Sequence, residues 1–395
     1  MYDKKEMLKV LIKKLHDGAE LESVKKEFIK HFGSVSPSEI AEIEQSLIDE
    51  GLPEEEVKRL CDVHVQVFKH SLDEQEKPQP PADHPVHNFM VENRATENIL
   101  REIEKILERT KQPTENDLKK YKDELVNLID KLSEIDKHYL RKENQLFPML
   151  EEKGMSGPSQ VMWAIHDDIR QMIKKAPNQV SESDVTVFDN LSELIQKIRD
   201  MIYKEENILF PMSLEALTLQ DWLKVQKGEE EIGFSWIEPL VEWKPDIKIE
   251  DDKVSPELIK TLKLDVGNLS AEQVNLVLKH VPFDITFVDE NDKVAYYSQG
   301  KERLFPRSPG IIGRSVQRCH PPKSVHIVEK IVGEFKSGKR DIAEFWINVG
   351  DKLVYIRYFA VRDDQNRYKG TLEVSQDVTD IKLLEGEKRL LDWKD

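Results

Sequence analysis

The octapeptide KENQLFPM at residues 142–149 returns 63 residues later as EENILFPM at 205–212, with six of eight positions the same. Such a repeat constrains the fold: two helices must turn in the same way and present similar groups to one place. Lining up the copies extends the pattern. His138 stands five residues before Glu143, in HYLRKEN, and Met201 stands five before Glu206, in MIYKEEN. An upstream segment carries His87-NFMV-Glu92-Asn93, and one between the copies carries His166-DDIR-Gln171. Four segments thus share one element: His/Glu, His/Glu, His/Gln and Met/Glu.

Apolar periodicity predicts four long helices over 84–215. The first follows HPVH and ends before Pro113. The second starts near Thr114, with Asp117 three residues on, and runs to about Phe147. The third lies between Pro158 and Pro177, and the fourth runs from Ser181 or Ser183 to about Phe210. Short connections favour an antiparallel bundle. Positions i and i+5 of a helix lie about 140° apart and about 7.5 Å along the axis. Both can still flank a bundle axis, because Glu is long and flexible, and a bulged turn would help. Imidazoles and carboxylates would then converge on one interior layer. Such a set suits iron or manganese better than structural zinc, and its carboxylates can bridge two ions. The bland alternative is a packed helical His and a Leu-Phe-Pro run that merely closes a helix. Four repeats of one spacing weigh toward the metal layer.

The rest of the 395 residues frames this bundle. Residues 1–72 read as an N-terminal helical domain whose helices stop at Gly18, Gly33 and Gly51. Cys61 and His64 fall on one face of its last helix and are candidates for metal binding or redox sensing, against a buried Cys beside a surface His. Residues 73–83 are a Pro-rich linker. Residues 216–258, with Trp222, Trp236 and Trp243, read as a connector packed on a neighbour. Residues 259–385 switch to period two, with turns at Glu290-Asn291-Asp292, Gly350-Asp351 and Asp363–Asn366. They predict an α+β domain with one antiparallel sheet, followed by a tail over 386–395. The fold class is therefore multidomain: all-α first, then α+β. Net charge is −17, which argues against a nucleic-acid partner. No apolar run of about 18 residues predicts a membrane span. Two cysteines and a charged, amphipathic N-terminus fit a cytoplasmic location.

Residues 84–215, through HPVHNFMVEN, HYLRKENQLFP, MWAIHDDIR and YKEENILFP, resemble the hemerythrin-like, or HHE cation-binding, domain. The resemblance implies a non-heme di-iron centre that binds oxygen, senses nitric oxide or redox state, or handles iron. His87, His138, Glu143, His166 and Glu206 match ligand positions, with Glu92 and His84 as additional candidates; for His84 the alternative is a helix cap. Tyr203 is a candidate pocket residue. The chain departs from the family pattern at Met201, where a His is usual, at Arg170, where a second His is usual, and at Lys142, where a carboxylate is common. A set poorer in His argues against reversible oxygen transport. Residues 265–381, through LKHVPFDITFVDENDKVAYYS and YKGTLEVSQDVTDIK, resemble a PAS domain, a fold that holds haem, flavin, small acids or nothing. Cys319 and His320 are its candidate ligands, for haem, metal or redox chemistry; the alternative is a turn before a helix. Residues 4–72 resemble the domain that precedes hemerythrin and PAS modules in a family of uncharacterised prokaryotic proteins.

Three functional readings are open. The leading one is a sensor whose di-iron centre responds to a diatomic or redox ligand and passes the signal through PAS to an unidentified output protein, with pairing through PAS giving a homodimer. The second is a di-iron enzyme that reduces nitric oxide or peroxide, or repairs iron centres. The third is a metal-free interaction module.

Overall fold

The computed structural model describes residues 84–110, 112–238, 243–245, 261–300 and 303–387, with 79–82 and isolated positions before residue 28. The reading of residues 1–72 falls almost wholly outside them, and Cys61 and His64 fall outside altogether. The chain divides into two compact units, the first running to Pro245 and the second made of most of the residues beyond it.

In the first unit, α1 (Pro85–Arg109) buries Phe89, Asn93, Thr96, Leu100, Ile103 and Ile106, a stripe at helical spacing. A capping box opens α2 (Glu115–Ser133): Thr114 accepts from the Asp117 N–H, and the Asp117 carboxylate accepts from the Thr114 N–H. After α2 come α3 (Ile135–Arg141), a π-helical turn (Lys142–Leu146) and α4 (Phe147–Glu152). Next are α5 (Gly157–Ser181) and α6 (Val187–Lys204), a second π turn (Glu205–Leu209) and α7 (Phe210–Ala216). Each long helix packs beside its neighbours in sequence, and α6 returns beside α1, giving an up-and-down four-helix bundle.

Both π turns fall on the two copies of the repeat. The reason is local. Pro148 and Pro211 follow each copy's Phe and have no N–H to give the carbonyl four residues back, so the α ladder loosens there. A π turn holds one residue more than an α turn, which brings two successive residues toward the bundle interior. Lys142, Glu143, Glu205 and Glu206 are all buried.

Two helix boundaries differ from expectation. Pro177 lies inside α5, which continues to Ser181 because the Glu182 N–H bonds to the Asn178 carbonyl at 2.9 Å. The second long helix breaks at Glu134. Ser235 and Trp236 bridge that break from beyond α8 (Leu219–Lys227) and α9 (Glu229–Ile232). The Ser235 hydroxyl accepts from the His138 N–H at 3.1 Å and donates to the Glu134 carbonyl at 2.7 Å; Trp236 Nε1 donates to the Lys131 carbonyl at 2.8 Å. Backbone groups at both ends of the break thereby gain partners. Trp222 is buried in the bundle core, and Trp236 and Trp243 pack against it. Among the described residues no helix is long and apolar enough to cross a membrane.

The second unit carries a five-stranded antiparallel sheet in the order β4 (Val294–Tyr297), β3 (Asp284–Asp289), β7 (Tyr368–Asp377), β6 (Lys352–Arg362) and β5 (Ile342–Val349). A short hairpin, β1 (Thr261–Lys263) with β2 (Asn268–Ser270), precedes α10 (Ala271–His280). Between β4 and β5 lies α11 (Pro322–Lys336). The expected turns are present, with positive φ at Asp292, Gly350 and Asn366. Gly370 has φ +147, and a Cβ there would lie 2.3 Å from the Val288 carbonyl oxygen, so β7 and β3 meet only because this residue is glycine. The register places Tyr297, Thr286, Glu373 and Tyr358 in one row across four strands. Side chains directly opposite in a sheet share a face.

The candidate metal centre is a buried ion-pair layer

The bundle gathers carboxylates and imidazoles at one level, together with three cations of the chain. Each ring nitrogen of His138 faces a carboxylate: Nδ1 lies 2.8 Å from Glu92 Oε2 and Nε2 lies 3.2 Å from Glu205 Oε2. His166 Nδ1 lies 2.7 Å from Glu143 Oε1, and its Nε2 lies 3.0 Å from the Lys142 ammonium. Lys142 also pairs with Glu205 Oε1, which leaves that carboxylate shared between Lys142 and His138. Arg141 joins Glu92 to Glu229, 3.0 Å away on the second side. Arg170 grips both oxygens of Glu143 at 2.9 Å and Asp136 at 2.6 Å. The second oxygen of Glu92 accepts from the Ser235 N–H at 2.6 Å.

Apolar and aromatic side chains enclose this layer. The His166 ring stacks on Tyr139 with centroids 4.0 Å apart, and the Arg141 guanidinium lies 4.6 Å from the Phe89 ring and 4.4 Å from Phe234. Met201, Leu146, Leu209 and Phe210 are fully buried. Burial acts on Glu205, Glu143, Glu229 and His166. It would raise Glu205, but Lys142 and His138 outweigh it and hold the carboxyl down at about 2. It pushes Glu143 up to about 7 despite Arg170, and Glu229 up to about 7 despite Arg141. His166 is driven well below the usual imidazole range by burial and then by Lys142.

Glu92, His138, Glu143 and His166 are thus brought together. Glu206 is buried but turns to the rim, pairing with Arg94 and accepting from Asn93 Nδ2 at 3.3 Å. Its neighbour Glu205 takes the inward place, and sequence reasoning missed it. Glu205 follows Met201 by four residues, the spacing common for the family's carboxylate, and that signal would have found it. His84 caps α1: its Nδ1 accepts from the Val86 N–H at 3.1 Å, and its ring packs 4.6 Å from both Trp222 and Trp243. Burial, with His87 beside it, lowers His84 to about 4. His87 is half-buried in the first turn of α1, and Tyr203 is half-buried near the end of α6.

In the second unit, Cys319 ends a short 3-10 turn (Val316–Cys319), with its Sγ 3.5 Å from the Ser315 carbonyl. His320 Nδ1 bonds to the Val316 carbonyl at 2.9 Å, and burial lowers the ring's affinity for a proton. The inner face of the sheet mixes buried polar and apolar groups: Asp284, Thr286, Thr371 and Ser375 are closed off alongside Val288 and Ile356. Arg307 lies 4.0 Å from Glu373, and Arg303 lies 3.9 Å from Asp284. Burial and then Glu373 raise the Tyr358 hydroxyl above its ordinary range, so it stays neutral.

Residues 84–213 match the family model of the hemerythrin HHE cation binding domain, and residues 274–379 match that of the PAS domain. This chain carries a hemerythrin domain and a PAS domain. Residues 8–74 match a family of unknown function, DUF438. Among curated proteins, the iron-sulfur cluster repair protein YtfE of Escherichia coli (strain K12 / DH10B) and that of Shigella boydii serotype 18 are each 34% identical over 94 residues, 20% of this chain. The chain spans 42% of the length of these relatives. Among solved structures, a C-terminal domain from Streptococcus mutans is 36% identical and covers 32% of this chain and 99% of its own, with a TM-score of 0.31. The PAS domain of a Colwellia psychrerythraea protein is 18% identical over 28% of this chain and 97% of its own, with a TM-score of 0.23.

The hemerythrin layer as folded does not fit two iron ions. Both nitrogens of His138 and of His166 are engaged by side chains of the chain, and so are the carboxylates of Glu92, Glu143 and Glu205. Among the described residues, no three His, Cys, Asp or Glu form a group that could hold a metal ion. At the departure positions Lys142 and Arg170 put charges of the same sign as an ion into the layer.

Proposed function

We propose that this chain is a sensor or signalling protein whose PAS domain takes a small, polar, anion-bearing molecule and whose output passes to another protein. The supporting observation is the row Tyr297–Thr286–Glu373–Tyr358 on the inner face of the sheet. A buried sheet face is ordinarily apolar, and polar groups there require partners. Arg303, Arg307 and His320 border this face, and such a lining suits a carboxylate far better than a haem, which needs apolar walls. Calorimetric titration of the full chain with succinate and with citrate tests it. Binding is expected, weakened about 10-fold or more by Arg307→Ala. Neither acid binding, or equal binding by the variant, removes the support.

A second reading is iron handling, either repair or di-iron sensing of oxygen, nitric oxide or redox state. It is favoured by the meeting of His138, His166, Glu143 and Glu205 from three helices, and by the likeness to YtfE. It requires the layer's ion pairs to open. Equal iron in the wild type and in a His138→Ala/Glu205→Ala variant, after growth with iron, would end it.

A further inference from the structure

We infer that the hemerythrin layer is metal-independent: Arg141, Lys142 and Arg170 supply from side chains the positive charge that carboxylate-bridged bundles take from ions. The layer sets these three cations against Glu92, Glu143, Glu205 and Glu229. A buried charge is tolerable only when paired and hydrogen-bonded, and here each has a partner within the chain. An added divalent ion would have to displace the Lys142 ammonium from His166 and Glu205 and would leave that ammonium buried without acceptors.

The placement of Lys142 carries the argument. In the two copies of the repeat, Lys142 and Glu205 are the corresponding first residues of the π turns. Two acids there could bridge ions between the helices; an acid and a base instead bridge the helices directly. The other departures act the same way. Met201 puts a fully buried thioether, not an imidazole, four residues before Glu205, and Arg170 closes Glu143 with both arms. Phe89, Tyr139 and Phe210 seal the space around them. This goes beyond the PAS reading and opposes the iron reading, and the metal content measured below decides between the two.

The test uses the full chain expressed in iron-rich medium. Iron, manganese and zinc are measured by mass spectrometry, and Tm is followed by circular dichroism with EDTA and with anaerobic ferrous ammonium sulfate. Far less than one metal per chain, with a Tm that neither EDTA nor ferrous iron moves, is expected. An ion bound at about 100 times its dissociation constant would raise Tm by roughly 5–10 °C. Wild-type protein that carries one or more iron per chain, and melts lower after chelation, overturns the inference. Lys142→Ala is expected to lower Tm by on the order of 10 °C, since it strands Glu205; a variant as stable as the wild type overturns it too. If Lys142→Ala does not fold, the wild-type metal content and chelation response decide. The succinate and citrate titrations are unaffected by either result, so the PAS reading stands or falls separately.

Discussion

Lys142 and Glu205 occupy the same place in the two copies of one octapeptide, and they form an ion pair with each other inside the bundle. A repeat that would make two helices alike is used here to make them complementary. Removing one partner leaves a buried charge, so Glu205→Gln alone should cost about 3–5 kcal/mol. Replacing both by Met should recover most of that loss, because an apolar pair of similar volume is often neutral. Urea unfolding of Lys142→Met, Glu205→Met and the double Met variant measures the coupling; simple additivity would refute it.

Stability should be nearly flat between about pH 4.5 and 6.5 and fall on both sides. The folded Glu205 carboxyl is held at about 2, below its usual 4.5. Its contribution is therefore present above pH 4.5 and lost as pH falls toward 2, a swing of roughly 3 kcal/mol. Glu143 and Glu229 are raised to about 7, so the folded state holds their protons more tightly and their contribution declines from about pH 4.5 toward 7; His84 and His166, lowered from 6.5, contribute in the opposite sense up to about pH 6.5, so the net decline begins there. Urea midpoints across pH 2–8 give the curve, and Glu229→Gln should flatten its upper limb. A profile that rises steadily through neutrality contradicts this assignment.

Ser235→Ala should cost about 1–2 kcal/mol, because one hydroxyl serves backbone groups on both sides of the helix break. Chemical unfolding reads the loss. Amide exchange at His138 should accelerate in step, and an unchanged exchange rate would show that the hydroxyl is dispensable.

Gly370→Ala should unfold or grossly loosen the PAS sheet while leaving the bundle intact. The added methyl meets the Val288 carbonyl at 2.3 Å, and φ +147 is strained for any L side chain. Near-native helical circular dichroism with loss of the strand amide resonances is the expected signature.

Much of this was legible in the sequence for reasons that can be named. Thr114 with Asp117 marks a helix start because the capping box needs only four consecutive residues. The three PAS turns were readable from Asp, Asn and Gly, the residues that tolerate positive φ. The choice between Glu205 and Glu206 was not, because it depends on how a π turn rotates two adjacent acids. Lys142 and Arg170 were visible only as departures from a pattern. That they fill the layer comes from three-dimensional charge balance, which spacing along one helix does not show. Pro177 stays helical because the turn beyond it finds its own hydrogen bond.

The bridge that Ser235 and Trp236 build across the second long helix also sets where the bundle can be cut. A fragment stopping at residue 213 would strip one oxygen of Glu92, the Lys131 carbonyl and the His138 amide of these donors and acceptors in a single step. Fragments meant for crystals or spectroscopy should extend through residue 245, so that Trp243 stays on the His84 ring as well.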